Sequence, residues 1–233
     1  MPLKLVLGPA NSAKAGEVLG AFSAVAPRGA ILVVPTADDA LHYRHELAAQ
    51  GTVLGSVVTF SGLAAEIARR AGYGAPRLSA RQRDEVLRSA LDGARLEGLA
   101  ESAQAAGFRA AAGELIAELE RGLITAPRFS AALRSWGEND QRRAGYAAEV
   151  GRIYRSYAAE CERRGWVDAE LFAWRALDAL RAQPDRWGRD AVFFYGFDDL
   201  TRLERDAVET LARIAGAEVT VSLTYEAGRA ALR

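Results

Sequence analysis

The sequence predicts an α/β protein with a parallel sheet of about five strands and a large all-helical insertion between the third and fourth strands. Near-continuous apolar runs alternate with helical stretches at both ends of the chain, which is typical of buried parallel strands. Between them, over residues 75–187, apolar residues recur only at helical spacing. The 233 residues therefore divide into an α/β part, 1–74 plus 188–233, and a helical part, 75–187.

Three strand–helix pairs make up the first α/β part, and Pro35 marks the end of the second strand. Ser61 is a suitable cap for the third helix. Crossovers between such parallel strands are expected to be right-handed. In chain order, the predicted elements are strand 3–7 (LKLVL), loop 8–13, helix 14–25, strand 30–34 (AILVV), helix 37–50, strand 56–60 (SVVTF) and helix 61–71.

The middle of the chain predicts five to seven helices. Ser79 and Gln82 have the spacing of a capping box at the start of the first of them. The α/β pattern then returns with strand 191–195, turn 196–199, a helix over about 201–215 and strand 218–223. Residues 228–233 form no obvious closing element, which favours a fragment of a longer chain. The apolar positions at helical spacing are Val86, Leu87, Ala90, Leu91, Leu115, Ile116, Leu119, Val150, Ile153, Tyr154 and Tyr157.

Composition excludes several classes of protein. Thirty basic residues balance thirty acidic ones, so bulk electrostatic attraction to nucleic acid is not expected. Cys161 is the only cysteine, which excludes an intrachain disulfide. No apolar run has the ~20 residues that a membrane span needs, and the N-terminus has no signal-peptide pattern. We expect a cytoplasmic protein with no membrane partner.

The loop after the first strand is a degenerate match to the phosphate-binding pattern G-x-x-x-x-G-K-[ST]. Gly8 and Lys14 are in register, but Ala13 replaces the second glycine and Ala15 replaces the hydroxyl that would ligate Mg²⁺. The alternative is an ordinary strand-to-helix turn with a solvated lysine. The candidate vestigial phosphate-binding residues are Gly8, Asn11, Ser12, Ala13, Lys14 and Ala15.

A phosphate-loop ATPase also needs a carboxylate at the end of a neighbouring strand. The corresponding positions here are Tyr195 and Gly196, and Asp198 and Asp199 follow too late in the chain. The pattern favours these two aspartates as turn and helix-capping residues. We therefore expect no metal site and no significant ATP hydrolysis, while weak ATP or phosphate binding through Lys14 stays open.

Taken in order, these segments resemble the N-terminal region of a superfamily I helicase of the UvrD/RecB type. The resemblance is closer to the inactivated version in AddB/RexB-type subunits and related PD-(D/E)XK nuclease proteins. The segments that carry it are residues 8–15 (GPANSAKA, motif I), 33–36 (VVPT, motif Ia), 58–64 (VTFSGLA, similar to the TFHSF segment), Tyr154 and Tyr157 with 165–168 (GWVD), 194–201 (FYGFDDLT, at the place of VDEFQDTN) and 219–223 (VTVSL, motif III).

The resemblance implies a RecA-like 1A subdomain with a helical 1B insertion, in a subunit that acts in DNA repair and recombination. It implies a catalytically inactive domain that binds single-stranded DNA and assembles with an active helicase or nuclease partner, or with further domains of its own chain. No cofactor is required. The candidate DNA-binding residues are Thr36, Thr59, Phe60 and Ser61. The nuclease motif ends in (D/E)-x-K, so an acidic residue must stand two positions before a lysine. The sequence has only two lysines, and Pro2 and Ser12 occupy those positions. The nuclease motif is therefore not expected in this chain.

Two alternative functions stay open at this stage: a nucleotide-dependent phosphate-loop enzyme and a protein–protein scaffold. Arginines over residues 69–88 alternate with Glu66, Asp84 and Glu85, which favours a salt-bridged surface over a basic groove. Core packing accounts for most of the four tryptophans in or beside the helical part. An exposed one would mark a docking surface. These tryptophans are Trp136, Trp166, Trp174 and Trp187.

Overall fold

A computed structural model describes residues 3–9, 12–226 and 228 of the chain. Five strands form one all-parallel sheet in the order β1-β5-β4-β2-β3, which confirms the predicted sheet. Within the described residues, no helix combines the length and apolar character needed to cross a bilayer. The strands are β1 (Leu3–Gly8), β2 (Ala30–Val34), β3 (Ser56–Thr59), β4 (Ala191–Phe197) and β5 (Val219–Thr224).

Six of the ten described α-helices lie within residues 75–187, in agreement with the predicted range of five to seven. Ser79 caps the first of them in a capping box with Gln82, as predicted. The helices are α1 (Lys14–Val25), α2 (Ala37–Ala49), α3 (Phe60–Ala71), α4 (Ala80–Gly93), α5 (Ala100–Ala103), α6 (Phe108–Arg121), α7 (Ala126–Gly137), α8 (Gln141–Arg164), α9 (Ala169–Ala182) and α10 (Arg202–Glu209).

The chain forms two compact units, residues 1–74 with 175–233 and residues 75–174. The second boundary falls inside α9, whereas the sequence placed it at 187/188. The reason is that the C-terminal half of α9 belongs with the sheet-containing unit. There Arg181 pairs with Asp206 of α10 at 2.5 Å and donates to Thr210 at 2.9 Å.

The sheet of the first unit carries helices on both faces. On one face, α1 and α2 bury an apolar cluster with β2, β3 and β4, in which the rings of Phe22 and Phe193 meet edge to face with centroids 5.8 Å apart. On the other face lies α3, where a Cβ on Gly62 would come within 2.9 Å of Val58 Cβ. Strands buried on both faces explain why the sequence shows apolar runs without alternation.

The second unit is helical and has its own core. Val86, Leu87 and Ala90 of α4 pack with residues of α6 and α8, including Tyr154 and Tyr157. The predicted helical spacing is therefore confirmed for these residues. The isolated bridge between Arg77 and Val167 is the one β-type pairing outside the sheet among the described residues.

Three boundaries differ from the sequence prediction. The third strand ends at Thr59, so α3 begins at Phe60 and Thr59, rather than Ser61, is its N-cap residue. Strand β4 continues to Phe197 through a register shift, and the positive φ of Gly196 (86°) allows this irregularity. After α10 the predicted helix becomes a π-helical turn over Thr210–Ile214.

Candidate functional site at the carboxyl edge of the sheet

All five strands end at the same edge of the parallel sheet, here called the carboxyl edge. Gly8 is in register with Thr224, Leu223 with Phe197, and Val34 with Thr59. The phosphate loop follows β1 at this edge, and the segments after β2, β3 and β4 end there too. The segments singled out after β1, β2, β3 and β4 are therefore on one side of the sheet-containing unit, whereas Tyr154, Tyr157 and residues 165–168 lie in the helical unit.

Between the neighbouring strands β4 and β2, the direction in which the chain adds strands to the sheet reverses. From β2 it leads outward to β3, whereas from β4 it leads the opposite way to β5. In open α/β sheets, ligands bind at such a switch point, outside the carboxyl ends of the strands. Here a Cβ on Gly196 would lie 3.4 Å from Pro35 Cδ, so the two segments approach closely.

Tyr195 lies within β4, two residues before its last residue Phe197, and packs against the core. Its ring lies against Tyr43 of α2 with centroids 5.4 Å apart, and both residues pack on the apolar cluster beneath α1 and α2. Burial, followed by the proximity of Tyr195, raises the pKa of Tyr43 to about 12. Tyr195 therefore places a packed aromatic ring, and not a carboxylate, at this position of the strand.

Lys14 is the first residue of α1, and its side chain turns toward the sheet's own carbonyl groups. Its Nζ donates to Gly8 O at 2.6 Å and lies 3.4 Å from Leu223 O and 3.5 Å from Thr224 Oγ1. The ammonium thus joins the carboxyl ends of β1 and β5. An anion at this loop would have to compete with these oxygen atoms for Lys14.

The rest of the phosphate loop supplies few ligand groups. Ser12 N donates to Pro9 O at 3.3 Å, and the Ser12 hydroxyl is buried with no hydrogen-bond partner among the described residues. Ala13 precedes α1 without a side-chain cap, and Ala15 has no hydroxyl to offer a metal. Asn11, also predicted at this loop, lies outside the described residues.

We expect Lys14→Met to lower the free energy of unfolding by about 1–2 kcal/mol, because carbonyls at two strand ends lose a charged donor. Urea denaturation followed by circular dichroism measures the change. The matched control is Lys4→Met, since Lys4 makes only an exposed ion pair with Glu17 and should change stability by less than ~1 kcal/mol. Equal changes in the two variants would contradict a structural role for Lys14.

The two aspartates after β4 are exposed and belong to the turn, as predicted. Asp199 Oδ1 accepts a hydrogen bond from Leu200 N at 2.7 Å. Neither Asp198 nor Asp199 caps the next helix, however, because Thr201 is the N-cap of α10 in a capping box with Glu204. Ala15 leaves the loop without the hydroxyl that would ligate Mg²⁺, although Asp198 directly follows Phe197, the last residue of β4.

The predicted DNA-binding residues lie at the carboxyl edge in two groups. Thr36 caps α2, and its Oγ1 donates to Asp39 Oδ2 at 2.7 Å. The hydroxyls of Thr59 and Ser61 are 3.0 Å apart at the start of α3. Phe60 is half-buried and Ser61 exposed, so this turn offers a ring and hydroxyls to a ligand.

Three of the six arginines over residues 69–88 form ion pairs among the described residues, in part as the charge pattern predicted. Glu66 pairs with Arg69 at 2.6 Å and with Arg70 at 2.7 Å, and Arg88 pairs with Glu85 at 2.6 Å. Hydrogen bonds from Arg69, with further help from Arg70, lower the pKa of Glu66 to about 2. Arg69, Arg70 and Arg88 are therefore largely neutralised within the protein.

A buried acidic cluster in the helical unit was not found from sequence. Carboxylate oxygens of Glu120, Asp168 and Glu170 lie within 4.8 Å of one another. Asp168 accepts hydrogen bonds from Tyr157 Oη at 3.0 Å and from Leu171 N at 3.1 Å. One sequence signal could have indicated its burial: Glu120 follows Ile116 by one helical turn and therefore lies on the apolar face of α6.

The close approach of these carboxyl groups is better explained by a protonated Glu120 than by a bound cation. Glu120 is 3% exposed, and burial followed by the charge of Asp168 raises its pKa to about 10. Glu120 is therefore neutral at pH 7 and can donate to Asp168. Arg121 lies 3.4 Å from Glu170, which further disfavours a bound cation.

No family model matches this chain, and no curated protein matches it significantly. The function of the carboxyl edge has to be inferred from its own residues and from the order of the segments that meet there.

Proposed function

We propose that this chain is a non-hydrolysing, helicase-like domain that binds single-stranded DNA and assembles with an active helicase or nuclease partner. In this proposal the sheet-containing unit is a RecA-like 1A subdomain, and the helical unit is a 1B-like insertion. One observation carries the proposal. The segments that resemble motifs I, Ia, TFHSF, II and III occur in that order, each in or beside a strand whose carboxyl end lies at one edge.

Loss of hydrolysis is supported by the residues at the two positions that would hold Mg²⁺ and position water. Phosphoryl transfer depends on charge neutralisation and on alignment of the reacting groups. Ala15 offers no metal ligand, and Tyr195 is packed against Tyr43 where the family has a carboxylate. Lys14 is engaged with the strand ends.

A role in strand binding is supported by the groups left available at the same edge. Thr59, Phe60 and Ser61 form a turn with an accessible ring and two hydroxyls. Stacking of bases on aromatic rings, with hydroxyl and cationic groups on the phosphates, is how single strands are bound without sequence preference. Because the net charge is zero, binding is expected to depend on such local contacts.

The test is fluorescence anisotropy of the purified chain with a labelled single strand of about 20 nucleotides, at about 50 and 200 mM salt, with and without Mg²⁺-ATP. If three or four phosphates are neutralised, affinity should fall about 20- to 50-fold between these salt concentrations. ATP should have no effect, and no ATP turnover should occur. Phe60→Ala should weaken binding at least about fivefold, whereas Leu41→Ala, exposed on α2, should not.

Two results would contradict the proposal. Absence of binding at about 50 mM salt would favour the protein–protein scaffold, since phosphate contacts are strongest at low salt. Metal-dependent ATP turnover, or binding that responds to ATP, would favour the nucleotide-dependent enzyme.

A further inference from the structure

An aromatic pair is exposed at the turn between α7 and α8 in the helical unit. Trp136 and Tyr146 are each 52% exposed, and their ring centroids are 6.3 Å apart. The other tryptophans are less exposed, because Trp187 is buried, Trp166 packs on the core of its unit and Trp174 is half-buried. Tryptophan and tyrosine are enriched at binding interfaces, where their rings provide large contact areas.

The turn that carries the pair is tightly built. A Cβ on Gly137 would lie 2.8 Å from Ala144 Cα, so α7 and α8 meet closely there. Asp140 caps α8, and its side chain accepts from Arg142 N at 2.9 Å and from Arg143 N at 3.2 Å. The rings are thus presented on ordered helices, which lowers the entropy lost on binding.

The surroundings of the pair are basic. The guanidinium of Arg143 lies 5.6 Å from the ring centroid of Trp136. Arg134 and Arg142 are exposed and form no ion pair with any described residue. Over residues 126–156 there are six arginines against three carboxylates, although the whole chain is neutral.

We propose that Trp136 and Tyr146 form a stacking platform for the bases of a single-stranded nucleic acid, and that Arg134, Arg142 and Arg143 contact its phosphates. This inference rests on the proposed function and names a second place where the strand is bound. Exposed rings beside exposed arginines match the chemistry of single-strand binding. Arg143 also pairs with Asp140 at 3.4 Å, an exposed contact that a phosphate would have to replace. Ser135, Glu138 and Asn139, next to Trp136 in the chain, are polar and exposed, so the two rings are not part of a larger apolar patch.

The test is the same anisotropy titration, run with the whole chain and a labelled oligothymidine of about 20 nucleotides. Trp136→Ala should weaken binding between about fivefold and 150-fold, and Trp136→Phe should retain most of the affinity because it keeps a stacking face. Replacing both Arg134 and Arg142 by Gln should reduce the salt slope by about 1.4. Leu115→Ala, in the same unit and 37% exposed, is the matched control and should bind as the wild type does.

The outcomes separate this inference from the proposed function. Salt-dependent binding by the wild type with unchanged binding by Trp136→Ala would overturn the platform and leave the proposed function standing. Absence of wild-type binding would overturn both. Binding that is lost in Trp136→Ala but kept in Phe60→Ala would support the platform and contradict the role of the carboxyl edge. Circular dichroism of each variant should show an unchanged fold, since the replaced side chains are exposed.

Discussion

Replacing Trp187 by alanine is expected to lower the free energy of unfolding by about 3–5 kcal/mol, the largest stability effect that we predict for a single substitution. Trp187 is 1% exposed and precedes β4, which is an interior strand of the sheet. Its removal would leave a large cavity in the sheet-containing unit. The loss of buried contacts and the cavity both destabilise the folded state.

Polar contacts around the ring add to this cost. The Nε1 of Trp187 donates to Asp190 O at 3.0 Å, and the Arg70 guanidinium lies 4.4 Å from the ring centroid. Arg70 also pairs with Glu66 at 2.7 Å and with Asp190 at 2.5 Å. Without the ring, Arg70 would lose its stacking partner while remaining mostly buried.

Urea denaturation of Trp187→Ala, followed by far-ultraviolet circular dichroism, measures the effect. The matched control is Trp136→Ala, which makes the same substitution at a site that is 52% exposed and should cost less than ~1 kcal/mol. Similar losses in the two variants would contradict the assignment of Trp187 to the core.

Glu120→Gln is expected to remove a marked pH dependence of stability. In the unfolded chain Glu120 should ionise near pH 4.5, whereas its folded pKa is raised to about 10, chiefly by burial and then by Asp168. Between these values the folded state holds one more proton than the unfolded state. The stability that this proton contributes is complete below the unfolded pKa and is lost as pH rises, by up to ~1.4 kcal/mol per pH unit.

The charged and titratable groups near Glu120 come from several elements, and the substitution leaves them all in place. Asp168 and Glu170 oppose its ionisation and Arg83 favours it, while Tyr154 and Tyr157 also face the cluster. Glutamine keeps an N–H donor for Asp168 but cannot ionise. The variant should therefore be more stable than the wild type at high pH.

Urea unfolding at about pH 6, 7, 8 and 9 tests this prediction. Between about pH 6 and 8 the wild type should lose about 2–3 kcal/mol relative to Glu120→Gln. Glu118→Gln, an exposed change on the same helix, should follow the wild-type profile. Parallel profiles for wild type and Glu120→Gln would show that Glu120 is ionised in the folded protein.

Much of the fold was predictable because it depends on local patterns. Apolar runs without alternation identify strands buried on both faces, and the helical spacing of Val86, Leu87 and Ala90 identifies a core face. Capping at Ser79 is encoded within three residues. The boundaries that failed, at Ser61 and in β4 beyond Tyr195, depend on backbone geometry that side-chain pattern does not reveal.

The candidate site was predictable only in part. A parallel sheet brings the segment after each strand to one edge, so the order of the motifs was enough to place Lys14, Thr36 and Thr59 there. The partners of these residues were not predictable. Lys14 contacts Leu223 and Thr224, which lie more than two hundred residues away in the sequence.

The sequence by itself determined the parallel sheet, the helical middle and the missing hydroxyl at Ala15, because residue type and spacing suffice for each. Only the tertiary structure decided which side chains are buried and which residues they contact. Burial raised the pKa of Glu120 beside Asp168, and packing enclosed Trp187 while Trp136 stayed exposed. Solvation and proximity are properties of the packed chain, so identical residue types acquire different chemistry within it.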